Sequence, residues 1–187
     1  MNKEFFKYLF VLTVVIASFS CVHAGWNPSA SETAEDQKVP NEDVAKTISN
    51  FKNTDSDMKA FFAKAHGYAV FPTVGKGGMG IGGAYGKGEV YERGRRIGTS
   101  SLTQVTIGLQ LGGQAYSEII FFKNQQALDD FKKGNFELGA QASAVAATAG
   151  ASADASYDNG VAIFTLAKGG LMYEASIGGQ KFSFDPI

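Results

Sequence analysis

The chain has 187 residues, 44% hydrophobic and 19% charged, with a formal net charge of −1. That length supports one domain with its own core, and the near-neutral balance gives no whole-chain basic field for a nucleic acid. A single cysteine excludes a disulfide framework.

The first 24 residues differ in character from the rest. Lys3 and Lys7 supply a positive start, and Tyr8 to Ser20 is an uncharged run too short to span a bilayer comfortably. Val22-His23-Ala24 puts small residues at the −3 and −1 places of a cleavage site. This predicts a signal peptide over 1–24, cut after Ala24, and an exported protein that is periplasmic or envelope-associated. A retained membrane anchor is the first alternative. Lipid attachment at Cys21 is the second, although Ser18-Phe19-Ser20 matches a lipoprotein signal poorly. Cleavage after Ala24 leaves a mature chain without cysteine and with His66 as its one histidine.

Residues 25–40 are polar, carry two prolines and have no apolar period, which predicts a flexible leader. A single domain is expected over 41–187. Asn41 opens a helix with Glu42 and Asp43 in its first turn, where the helix dipole favours them. Val44, Ile48 and Phe51 share one face. "NTDSD" at 53–57 breaks the helix, and Met58, Phe61, Phe62 and Ala65 repeat the spacing up to Gly67.

From Tyr68 the rhythm is that of strands. "YAVFP" is a short apolar run closed by Pro72. "VTIGLQLGG" at 105–113 alternates Val105, Ile107, Leu109 and Leu111 against Thr106, Gly108, Gln110 and Gly112, which predicts a half-buried strand. "YSEIIFF" at 116–122 is another strand. Asn124 caps a short helix with Leu128 and Phe131 inward, ended by Gly134. The alanine-rich stretch 138–157 is open between helix and a small-residue strand. The segment 161–184 reads as three apolar runs parted by turns at Lys168-Gly169-Gly170 and Gly178-Gly179. The sum is α+β: N-terminal helices packed on a curved, glycine-rich antiparallel or barrel-like sheet, with one short helix inserted.

"VGKGGMGIGGAYGKG" at 74–88 matches GxGxxG twice, at Gly75–Gly80 and Gly78–Gly83. A dinucleotide fingerprint needs a helix after the glycines, and Glu89-Val90-Tyr91 continue as strand instead. A P-loop needs Gly five positions before Gly86 and Ser or Thr after Lys87, where Ile81 and Gly88 stand. Parity is more telling. Even positions 78 to 88 are Gly or Ala, while Met79, Ile81, Tyr85 and Lys87 are odd, so one strand face is nearly bare backbone. Interior strand glycine is costly. It predicts that a helix, another sheet layer or a sharp bend lies against that face.

The segments "AKAHGYAVFPTVGKGGMGIGGAYGKGEVY", "IGLQLGGQAYSEIIFF" and "ALDDFKKGNFELGAQAS" resemble the SYLF domain in content and order, over roughly 44–184. The resemblance implies a lipid-binding module without catalysis, secreted or in the envelope in bacteria, and strand rather than helix over 138–157. It implies anionic phospholipid headgroups or a membrane surface as partner, and in some relatives actin. Lipid-binding relatives have a basic N-terminal helix. Here 42–64 balances its lysines with Glu42, Asp43, Asp55 and Asp57. "RRIGTSSLTQ" and "ATAGASA" also replace two elements of the family pattern.

Arg93, Arg95 and Arg96 are every arginine in the chain and fall at a predicted hairpin tip. Guanidinium suits phosphate through its bidentate fork, and Lys76 and Lys87 flank the glycine strand and could share one rim with them. These five are the candidate headgroup-binding residues. The alternative for them is an edge that blocks aggregation. His66 without a second histidine argues against a transition-metal site, and no cofactor is expected. No GxSxG elbow supports a hydrolase. The rival to lipid contact is an envelope module that binds a protein partner, or itself, by edge pairing.

Overall fold

The computed structural model describes residues 41–139, 142–169 and 177–187. These belong to one compact unit, Ala34–Ile187. The predicted signal, the whole leader and Gly170 lie outside the described residues; Lys168 and Gly169, expected in a turn, instead continue a strand, with Gly169 paired opposite Ala115.

Helix α1 (Asn41–Thr54) and helix α2 (Met58–Lys64) are parted at Asp55–Asp57, as the polar break predicts. Strand β1 (Gly67–Glu92) and strand β2 (Arg95–Phe122) then form one antiparallel hairpin of 26 and 28 residues. Helix α3 (Gln125–Lys132) is capped by Asn124, whose side chain accepts from the Ala127 amide at 3.0 Å. Gly134 ends it with φ +73°, a left-handed conformation that glycine tolerates at a helix end. Short β3 (Phe136–Glu137) and β4 (Val145–Ala146), then β5 (Val161–Gly169), β6 (Lys181–Phe182) and β7 (Asp185–Pro186) complete the described elements.

β2 organises the sheet. One edge pairs with β1; the other takes β5, β6 and β7 in separate stretches, and β3 and β4 join β6 and β5. The sheet is curled and open. It is mixed rather than wholly antiparallel, because β4 runs parallel to β5. Among the described residues between 138 and 157 the backbone is neither a helix nor a long strand: the two-residue β4 is followed by turns through 149–154. Frequent Ser, Thr and Gly compete with regular backbone pairing there.

Pro72 does not close a strand. β1 passes through it at a register shift between Phe71 and Val74, where a missing N–H is tolerated. Ser117 Oγ donates to the Pro72 carbonyl at 2.7 Å.

The bare glycine face points inward, and β1 folds against itself. A methyl group on Gly88 would stand 2.5 Å from the Val70 carbonyl oxygen, and one on Gly86 would stand 2.9 Å from Val74 Cγ2. The bend lies at 78–82, where a side chain on Gly78 would strike the backbone of Ile81 and Gly82. Both expected reasons for the glycines, a close layer and a sharp bend, therefore operate within one strand.

Two buried clusters result. Phe71, Val74, Leu102, Tyr116, Ile120, Phe122, Leu128, Phe131 and Phe182 form the first. Val44, Phe51 and Met58 join Val70, Ile119, Phe121 and Phe164 in the second. Consecutive residues 119–122 divide between the two, so this stretch of β2 is buried on both faces. The phenylalanines pack on one another in both clusters, with Phe61–Phe164 centroids 4.9 Å apart and Phe122–Phe131 also at 4.9 Å.

Candidate functional site

Arg93 and Gly94 have φ +48° and +78°, the geometry of a two-residue turn whose twist matches the flanking strands. Arg93 and Arg95 are exposed beside it. An open depression of about 410 Å³ is lined by Glu92, Arg93, Arg95, Arg96 and Ile97.

The three arginines are not equivalent. Arg96 Nε lies 2.9 Å from Glu89 Oε1, and the Glu89 side chain is fully buried. Tyr91 donates to Glu89 Oε2 at 2.6 Å. Burial, then that hydrogen bond and the Glu89 charge, push the Tyr91 hydroxyl pKa up. Arg96 therefore neutralises an interior carboxylate, whereas Arg93 and Arg95 present their charge to solvent. His66, two residues beyond α2, places Nε2 3.0 Å from Glu92 Oε1. Its carbonyl accepts from the Arg93 amide at 2.9 Å. The turn is thus fastened to the start of β1.

Lys76 stands opposite Gln114 and Lys87 opposite Ser101. Burial lowers the Lys76 pKa. Neither lysine lines the arginine depression, so the structure groups the arginines and sets the two lysines along the hairpin.

The bend holds what the sequence pattern concealed. Ile81, Tyr85 and Val105 are 70%, 52% and 77% exposed, while Gln104 is buried at 3%. The alternation in 105–113 predicts Val105 as an inward residue, and the structure reverses it. The reason is register: Val105 pairs with Gly83 and Gln104 with Ala84, and Ala84 belongs to the inward face. Ile81, Gly83 and Tyr85 share the outer face, so Val105 lies between two exposed apolar residues.

A second hollow, about 620 Å³, separates α2 from the 152–157 segment and is lined by residues including Lys59, Phe61, Lys64, Ser152, Ala153 and Tyr157. No sequence motif marks it, because its walls are some ninety positions apart in the chain. Among the described residues no group of three or more His, Cys, Asp or Glu side chains is placed to hold a metal ion. No described helix is long and apolar enough to cross a membrane.

Residues 103–186 match the Ysc84 family, described as "Las17-binding protein actin regulator". Over those residues, less than half of the chain, the protein is similar to that family. It is similar to a protein named Beta cell expansion factor A from Aeromonas veronii, with 27% identity over 158 residues, covering 82% of this chain. The chain spans 59% of that relative's length. The Ysc84 match takes in most of β2 and everything after it, including the outward Val105 and the strands seated on the β2 edge. The arginine turn and the glycine strand β1 precede the matched residues.

Proposed function

We propose that this SYLF-like domain is a non-enzymatic module that contacts anionic membrane lipids in the envelope of an exporting cell. The observation that carries the reading is the hairpin's charge and apolar pattern. Between Gly67 and Ser117 the hairpin holds Lys76, Lys87, Arg93, Arg95 and Arg96 against Glu89 and Glu92. Glu89 is paired with Arg96, and Glu92 is hydrogen-bonded to His66. Within that acid-poor span sit the exposed Ile81, Tyr85 and Val105. Exposed apolar side chains flanked by cations suit a surface that attracts anionic headgroups and accepts apolar groups at the interface. Arg93 and Arg95 supply headgroup contacts at the turn, and Lys76 and Lys87 supply them along the hairpin. The actin-regulator wording of the family offers a protein partner as the competing occupant.

Co-sedimentation of the protein with vesicles tests this. Binding is expected to vesicles rich in phosphatidylglycerol and not to neutral ones, and it weakens with added salt. Equal binding to both, or none to either, would overturn the headgroup reading and turn attention to a protein partner.

A further inference from the structure

We infer that the hollow between α2 and the 150–157 segment binds a single anionic amphiphile, one acyl chain carrying a carboxylate, sulfate or phosphate head. This site is separate from the hairpin surface and needs no bilayer.

The hollow is built by one buried carboxylate. Asp55, 1% exposed, sits in the break between α1 and α2. It accepts hydrogen bonds from the Ser152 amide at 2.7 Å and the Asp57 amide at 3.1 Å. Burial alone would raise its pKa, but those bonds outweigh burial and lower it. The charged form thus holds the segment around Ser152 against the start of α2. Gly150, at φ +77°, and the bonds from the Ala151 and Ala153 amides to Thr148 and Gly150 turn the chain there.

The lining then has two parts. Phe61 and Tyr157, both half-buried, meet at 5.7 Å between centroids, and Phe61 continues into the core through Phe121 and Phe164. Beside them Ala60, Ala153 and Ala155 contribute small apolar surface. This wall is anchored from behind and still partly open, so it offers apolar area that folding leaves uncovered. The rim holds Lys59 and Lys64, both exposed, with Asp57 as its one acid. The net charge of the lining is positive, which selects an anionic head over a neutral or cationic one. The 620 Å³ volume falls in the usual range for small-molecule sites, about 300–1,000 Å³.

The test is titration of the isotope-labelled full chain with sodium decanoate below its micelle-forming concentration, read by amide chemical shifts. Decanol and decyltrimethylammonium serve as head-group controls. Saturable shifts at Ala60, Phe61, Ala153 and Ala155 are expected, with decanoate the tightest. Lys59→Gln with Lys64→Gln weakens decanoate about tenfold, as two exposed charge contacts imply, and leaves decanol unchanged. Ala153→Phe, at an exposed position, blocks both. Shifts that are absent, unsaturable or centred elsewhere would sink the site, and equal affinity for all three heads would sink the anionic class. Decanoate binding in a protein that ignores vesicles would reject the membrane-surface reading and leave this one standing. Vesicle binding without decanoate binding would do the reverse.

Discussion

Arg96 Nε lies 2.9 Å from the buried carboxylate of Glu89, and this pair separates structural from exposed arginines at the hairpin turn. Removing one member of a buried pair leaves an uncompensated charge. Arg96→Gln is therefore expected to destabilise the fold by about 2–3 kcal/mol in denaturant unfolding. Restoring stability with Arg96→Met and Glu89→Leu together would verify the cause, because the double change removes both charges.

Arg93 and Arg95 carry no such duty. Arg93→Gln with Arg95→Gln should leave the unfolding midpoint within about 0.5 kcal/mol of the parent, as surface changes do. Partition onto anionic vesicles should fall by about thirtyfold, at about 1 kcal/mol for each of the two cations near the surface, with a shallower salt dependence. An unchanged partition would remove the turn from the contact surface.

The exposed apolar residues permit a complementary test. Ile81→Ser with Val105→Thr should leave thermal stability nearly unchanged, because neither side chain is buried. Vesicle binding should weaken while salt sensitivity persists. If binding is untouched, the bend does not enter the interface.

Two glycines predict opposite outcomes. Gly88→Ala forces a methyl group to 2.5 Å from the Val70 carbonyl and 2.7 Å from Phe71 Cδ1, so a loss of about 2–3 kcal/mol is expected from overpacking. A methyl on Gly75 meets nothing within 4 Å, and Gly75→Ala should be neutral or slightly stabilising. Equal effects at both positions would contradict the folded-back strand.

Glu118 is fully buried, and burial raises its pKa to about 8, partly opposed by a hydrogen bond from Gln180 Nε2 at 3.1 Å. The folded state therefore holds its proton where the unfolded chain has released it. Stability from the neutral acid is full below the unfolded value of about 4.3 and is lost as pH rises through about 8. The slope is at most about 1.4 kcal/mol per pH unit. Glu118→Gln, which is permanently neutral, should flatten that part of the stability profile. A profile with the same slope in the variant would assign it to another group.

Asp55 has the opposite sign. Its lowered pKa makes the ionised form the stabilising one, so its contribution is present above the unfolded carboxylate range and disappears as pH falls through the folded value. Asp55→Asn weakens the bonds from Ser152 and Asp57 and should cost about 1–2 kcal/mol at neutral pH. Acid titration of the variant against the parent checks it: the gap between their stabilities closes at low pH.

Much of this molecule is written locally. The break at 53–57, the Asn124 cap, the Arg93-Gly94 turn and the inward Leu128 and Phe131 each follow from a short-range rule: a polar interruption, an N-cap, a positive-φ pair, a helical period. The parity of Gly78 to Gly88 also determined that one strand face must meet something closely, since bare backbone needs a reason. Tertiary structure decided what it meets, which is the first half of the same strand. The register opposite Gly83 and Ala84 decided that Val105 faces outward and Gln104 inward. Chain folding also gave Glu89 to Arg96 and Glu92 to His66, and joined Asp55 to Ser152 across ninety-seven positions. Those outcomes depend on which distant backbones lie side by side, and a residue's own neighbours in sequence carry no record of that.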